Sequence, residues 1–173
     1  MLYFAYGSNM CTERLRAPDR VPSAEFVRIA RVPGYVFRFH KLSKKDCSAK
    51  ADAYYTGNPT DIVWGVIFKI DPAEKPNLDR AEGLGRGYAE KEFTVTDMEG
   101  NEHRTVAYVA EQSHIQAELL PYCWYKCFVV EGARQSGLPP DYIAQIEAMP
   151  ATEDPDRQRD ARNRAIMCHN EPL

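Results

Sequence analysis

The chain has little that would tie it to a membrane, a nucleic acid or an oxidised framework. No apolar run approaches the roughly 20 residues that span a bilayer, and no basic-then-apolar leader stands ahead of Leu2. A cytoplasmic protein without a membrane partner is therefore expected. Neither sign of charge dominates: 22 Lys and Arg against 25 Asp and Glu leave a net charge of −3, which argues against a nucleic-acid partner. The five cysteines (Cys11, Cys47, Cys123, Cys127, Cys168) are odd in number, widely spaced and without a Cys-x-x-Cys pair, unlike the even set of a small disulfide scaffold. Cys123 and Cys127 share a face of an expected helix and could join a histidine such as His114 at a metal. Buried thiols are the better reading, because ligands in structural zinc sites are spaced more tightly. No repeat, low-complexity tract or second domain is visible. The 173 residues, 44% hydrophobic and 27% charged, read as one globular domain over 1–173 with a charged extension from about 150.

What is present begins at the first nine residues. Leu2 to Tyr6 is an apolar and aromatic run suited to a buried strand. It stops at Gly7-Ser8-Asn9, where Ser8 or Asn9 is placed to cap a short helix near Met10, with Glu13 completing a capping box. A strand opening through a glycine turn onto a helix start aims several N–H groups at one point, a natural seat for a carboxylate or oxyanion.

Further on, Ser23 to Val32 and Tyr35 to His40 read as two strands of a hairpin about Pro33-Gly34, and the lysine-rich stretch Lys41 to Lys50 as a solvated loop. Ala53 to Tyr55 is a short strand. Ile62 to Ile70 is apolar on both faces, as a central strand should be, with Gly65 marking a bulge or a close backbone approach. Asp71-Pro72 starts a helix that Pro76 interrupts and Glu82-Gly83 ends. Tyr88 to Asp97 and His103 to Glu111 alternate as a hairpin. Helices follow over about Pro121 to Gln135 and Pro140 to Met149, and Asp154 to Arg164 suits a solvent-facing helix at most. Strands without regular β-α alternation indicate an α+β fold.

Phe4-Ala5-Tyr6-Gly7-Ser8-Asn9 resembles the opening signature of the γ-glutamylcyclotransferase family. Leu78-Asp79-Arg80-Ala81-Glu82-Gly83 resembles its glutamate-glycine landmark, and Trp124-Tyr125-Lys126 running on to Glu131-Gly132-Ala133 and Gly137-Leu138-Pro139 is a third similarity. The resemblance implies a small mixed β-barrel with flanking helices and a pocket at one barrel mouth. It also implies a reaction in which a γ-glutamyl α-amine attacks its own γ-carbonyl, releasing 5-oxoproline and an amine or amino acid. Such a reaction needs no serine or cysteine nucleophile, metal or organic cofactor.

Glu82 is then the catalytic acid and base. Tyr3, Phe4, Ala5, Tyr6, Gly7, Ser8 and Asn9 hold the γ-glutamyl substrate, Tyr125 offers a hydroxyl, and Tyr88 lines the site. Ser8 lacks the Gly-x-Ser-x-Gly elbow of a nucleophile. A rival using Cys11 as nucleophile requires a nearby histidine. The other alternative is a non-enzymatic member of the fold that binds a small anion or a protein. A homodimer is a family-level expectation. Pro76 and the loop Gly83 to Gly87 depart from the family pattern, so the reaction class is better defined than the substrate.

Overall fold

The computed structural model describes residues 1–167; Cys168 lies outside the described residues. The opening apolar run forms β1 (Leu2–Ala5), followed by a 3₁₀ turn (Ser8–Met10) and the short α1 (Thr12–Leu15). Then come β2 (Glu25–Pro33), β3 (Tyr35–Ser43), β4 (Ser48–Tyr55) and β5 (Ile62–Lys69). A 3₁₀ turn (Pro72–Glu74) leads into α2 (Lys75–Glu82), and β6 (Tyr88–Asp97) and β7 (Glu102–Ala110) form the expected hairpin. Beyond it lie α3 (Cys123–Gln135), α4 (Pro140–Ala148) and α5 (Arg157–Met167).

Five strands close into a barrel in the order β1-β5-β2-β6-β7. All pairs are antiparallel except the closing contact of β7 with β1, a parallel pairing of Tyr3 with Val106, so the barrel is mixed. Its interior is filled by buried side chains such as Phe4, Ile67, Phe93 and Val95. The central position of β5 explains its apolar composition on both faces. Gly65 answers to close approach: a Cβ there would stand 2.5 Å from the Ala5 carbonyl oxygen and 2.8 Å from the Phe4 ring. The irregularity falls in β2 instead, between Phe26 and Arg28.

Three expectations are corrected. β2 and β3 do not pair, because both edges of β2 are already occupied by β5 and β6. β3 pairs with β4 in a separate two-stranded sheet, which is tied to the barrel where the Ala110 N–H donates to Asp52 Oδ1 at 2.7 Å. The stretch Lys41 to Lys50 is not a loop: Lys41 pairs with Lys50 across these strands, leaving a turn only over 44–47. Aromatic rings cover the two lysines, with Lys41 Nζ 4.4 Å from the centre of the Tyr88 ring and Lys50 Nζ 4.6 Å from that of Tyr125. The capping box is also absent. α1 begins after Cys11 with no side-chain cap, because the Ser8 and Asn9 side chains are engaged elsewhere.

The charged segment after residue 150 is strapped to α3. Thr152 exchanges backbone hydrogen bonds with Pro121 and Cys123, both at 2.9 Å. Asp154 accepts from the Trp124 indole at 2.8 Å and from Arg159 Nε at 2.7 Å. The Arg159 guanidinium, aided by Trp124, holds the Asp154 carboxyl down at about 2. A depressed carboxyl stabilises the fold above its unfolded value of about 4, and that contribution disappears as pH falls through the folded value. Asp154→Asn should therefore lower the urea midpoint at about pH 7, with the gap to the parent closing between about pH 4 and about pH 2. A gap constant across that range would show that the ion pair does not act this way.

Candidate active site

Glu82 is the last residue of α2, which ends because Gly83 takes the left-handed conformation (φ 78°) and returns its N–H to Asp79 at 2.9 Å. Residues one turn earlier point the same way along a helix. Leu78 is fully buried, and Asp79 accepts from the Tyr108 hydroxyl at 2.6 Å. These two contacts fix the end of α2 against β7 and aim Glu82 at the barrel mouth.

Asn9 meets it there. Its Nδ2 donates to Glu82 Oε1 at 2.6 Å and to the Tyr3 hydroxyl at 3.0 Å, while its Oδ1 accepts from Arg20 at 3.1 Å. Arg20 is also 3.8 Å from Glu82. Glu82 and Asn9 lie 73 positions apart in the sequence. The first hydrogen bond of the turn runs from the Met10 N–H to the Gly7 carbonyl at 3.0 Å. The N–H groups of Gly7, Ser8 and Asn9 precede it and have no acceptor within the turn. Gly7 is not left-handed (φ −112°, ψ −145°), but space beside it is short. A Cβ there would stand 3.0 Å from that of Ala51.

A recess of about 20 Å³, room for one or two water-sized groups, lies between this turn and Glu82. Of the residues singled out from the sequence, Tyr3, Tyr6, Gly7, Ser8, Asn9, Glu82, Tyr88 and Tyr125 line it. Phe4 and Ala5 do not. Phe4 points into the barrel core, edge-on to Phe93 at 6.3 Å, and Ala5 is buried in the β1–β5 ladder. Ala51 and Tyr108 complete the lining, although nothing in the local sequence marks them out. The recess opens onto a chamber of about 710 Å³ that shares Ser8, Glu82, Tyr88 and Tyr125.

Five phenols therefore surround the recess. Burial, the leading cause in each case, pushes Tyr3, Tyr6, Tyr88, Tyr108 and Tyr125 up, so they stay neutral near pH 7. Tyr6 donates to the Tyr108 carbonyl, Tyr88 to the Ala51 carbonyl and Tyr108 to Asp79. Tyr3 and Tyr125 instead receive bonds at their oxygens, from Asn9 and from the Ala51 N–H at 3.1 Å, and each keeps a proton to donate. Tyr125 is not bonded to Glu82 in this arrangement; Asn9 is.

Among the described residues neither nucleophile alternative has a histidine partner, and the Cys11 thiol donates instead to Glu13 Oε2 at 3.2 Å. Ser8 Oγ accepts from Arg14 at 3.1 Å. None of the described histidines is hydrogen-bonded to Ser8 or Cys11: His40 contacts Asp52, His103 contacts Asp97, and His114, in the wall of the chamber, contacts Ser113. Burial pushes the Cys11 thiol up to about 11. Among the described residues, no three His, Cys, Asp or Glu side chains are grouped to hold a metal, and Cys123, Cys127 and His114 do not assemble. No described helix is long and apolar enough to cross a membrane.

The pattern of the AIG2-like family matches residues 62–146, from β5 through most of α4. The chain is 34% identical over 151 residues to the γ-glutamylcyclotransferase of Bos taurus, spanning 86% of this chain and 78% of that one. It is 33% identical to the γ-glutamylcyclotransferase of Homo sapiens over the same lengths. A solved γ-glutamyl cyclotransferase superposes with a TM-score of 0.82 at 28% identity, covering 95% of this chain and 98% of its own. An uncharacterized protein from Homo sapiens does so at 0.79 and 30%, covering 94% and 97%. The chain belongs to the γ-glutamylcyclotransferase family of enzymes.

Two predictions follow from how the cradle is held. A Cβ on Gly132 of α3 would stand 2.3 Å from the Cys11 nitrogen and 2.4 Å from the Met10 carbonyl carbon. Gly132→Ala should cost about 1–3 kcal/mol in urea unfolding, because backbone must shift, and an unchanged midpoint would contradict this packing. Cys11→Ala should leave turnover within about threefold of the parent, since the thiol is protonated and no described histidine serves it. A loss of orders of magnitude would revive the thiol mechanism.

Proposed function

We propose that this protein cleaves γ-glutamyl amides by intramolecular cyclisation, releasing 5-oxoproline and the departing amine, with Glu82 as general base and then general acid. The substrate's α-nitrogen and γ-carbonyl lie in one molecule, and closing a five-membered ring replaces an encounter between two, an advantage that can reach ~7–11 kcal/mol. The protein's task is to hold the glutamyl chain folded and to move protons.

The Glu82 carboxylate takes a proton from the α-ammonium. The freed amine attacks the γ-carbonyl carbon, forming the ring C–N bond and a tetrahedral oxyanion. Protonated Glu82 then gives its proton to the departing nitrogen, and the original amide C–N bond breaks as the carbonyl reforms. The ring nitrogen's surplus proton passes by the same carboxylate to the product amine. Two protons in all move from the α-nitrogen to the leaving nitrogen, and no water or co-reactant is consumed.

The N–H groups at Gly7 to Asn9, with the Tyr3 and Tyr125 hydroxyls, are the donors available to the substrate carboxylate and to the oxyanion. The observation that best supports the reading is the 2.6 Å contact of Asn9 Nδ2 with Glu82 Oε1, which brings the carboxylate to the edge of that cradle. Glu82→Gln retains shape and a hydrogen-bond partner for Asn9 but cannot shuttle protons. Release of 5-oxoproline from a panel of γ-glutamyl compounds should fall by about 10²–10⁴-fold, with the melting temperature and substrate binding close to the parent's. Turnover near the parent's would remove Glu82 from this role.

A further inference from the structure

The outer chamber has a charge unlike that of the protein as a whole. Nine of its twenty lining residues are Lys or Arg and only Asp46 and Glu82 are acidic, in a chain of net charge −3. Some of the cations are neutralised: Lys50 is 2.6 Å from Asp46, and Arg159 is paired with Asp154. Lys41 is not. It is 5% exposed, its stem lies in the space left by Gly87, and its ammonium stands over the Tyr88 ring. Among the described residues its Nζ has neither a hydrogen bond nor a carboxylate within 4.0 Å. Arg14 is similar: it donates to Ser8 and lies over the Phe128 ring at 4.7 Å, with no carboxylate partner among the described residues. Burial lowers the affinity of both cations for their protons.

Removing a cation from water without a counter-ion is costly, and folded proteins avoid it unless a partner arrives. Here the unpaired cations face a cavity, and that cavity adjoins the recess in which the reaction takes place. Because the recess holds only one or two small groups, the rest of the substrate, including the part beyond the scissile amide, extends into the chamber. A concave wall of one sign focuses its field on whatever enters.

We infer that the leaving half of the substrate is anionic: the preferred substrates are γ-glutamyl derivatives of an amine with a negative charge beyond an α-carboxylate, such as an acidic amino acid, and Lys41 reads that charge. The inference rests on the cyclisation proposed above and names its substrate class. A nucleic acid does not suit this wall, since the cations line a pocket beside Glu82 rather than a convex face.

The test compares γ-glutamyl-glutamate with γ-glutamyl-glutamine, which match in size and differ by one charge, each assayed by 5-oxoproline release with the full-length protein. The parent should favour the glutamate compound by about tenfold or more in kcat/KM, and that ratio should shrink severalfold between low and high salt. In Lys41→Met, which keeps an unbranched stem over Tyr88, the ratio should collapse to within about twofold. If this variant does not fold, the salt dependence of the parent's ratio decides the matter. Equal rates for the two compounds, both abolished by Glu82→Gln, would overturn the anionic leaving group and leave the cyclisation standing. A tenfold preference that survives both Lys41→Met and high salt would remove Lys41 from the role. Failure of both compounds to yield 5-oxoproline would overturn the cyclisation and this inference together.

Discussion

The primary amide of Asn9 holds the two halves of the site together, with both of its N–H donors in use. One nitrogen serves both the Glu82 carboxylate and the Tyr3 hydroxyl, and the oxygen faces the Arg20 guanidinium. This set of partners fixes which way the amide points, because a flipped group would set its oxygen against a carboxylate and its N–H groups against a cation. The side chain is 3% exposed, so losing any of these bonds would strand a polar group away from water. A residue 73 positions from Glu82 thereby sets the height of the carboxylate above the opening turn.

That contact depends on rigid supports on either side. β1 is held in the barrel by β5 along its whole length and by β7 at Tyr3, so the turn after it starts from a fixed point. α2 is pinned by Leu78 in the core and by the hydroxyl of Tyr108 on Asp79. Behind the turn, α3 approaches so closely at Gly132 that only a hydrogen fits between the two backbones. A site built where a strand end, a helix end and a helix flank converge has little freedom to drift. Reactions governed by positioning require that constraint.

Much of this arrangement was legible in the sequence, and the rest was not for definable reasons. Gly7-Ser8-Asn9 and Glu82-Gly83 are read from turn and cap chemistry that acts over a few residues, and they fall where the structure has a turn and a helix end. Ala51 and Tyr108 enter the recess only because β4 lies against β7 and α2 against β7, and no local pattern encodes those long-range registers. Phe4 and Ala5 belong to the same signature as Tyr3 and Tyr6, but their side chains serve the core, since a motif records proximity along the chain and not direction. The lysine-rich stretch was misread for a related reason. Lysines usually mark solvated surface, and here aromatic rings on other elements receive their stems.

The recess and the chamber divide the electrostatic work. The groups at the recess are backbone N–H dipoles and phenols that burial keeps protonated. Neutral donors of this kind bind a developing oxyanion strongly without holding the ground state too tightly, because their attraction grows with the charge that forms. A full cation at the same place would grip the substrate's carboxylate equally before and during reaction, giving binding without acceleration. The cations stand farther out, and among the described residues only Arg20 comes within ion-pair range of Glu82, at 3.8 Å. Under the proposed cyclisation, charge in the chamber selects the molecule that enters, while polarity in the recess acts on the bond that breaks. Because the two sets share only the few residues at their junction, the outer wall can change over evolution without disturbing the carboxylate that faces inward.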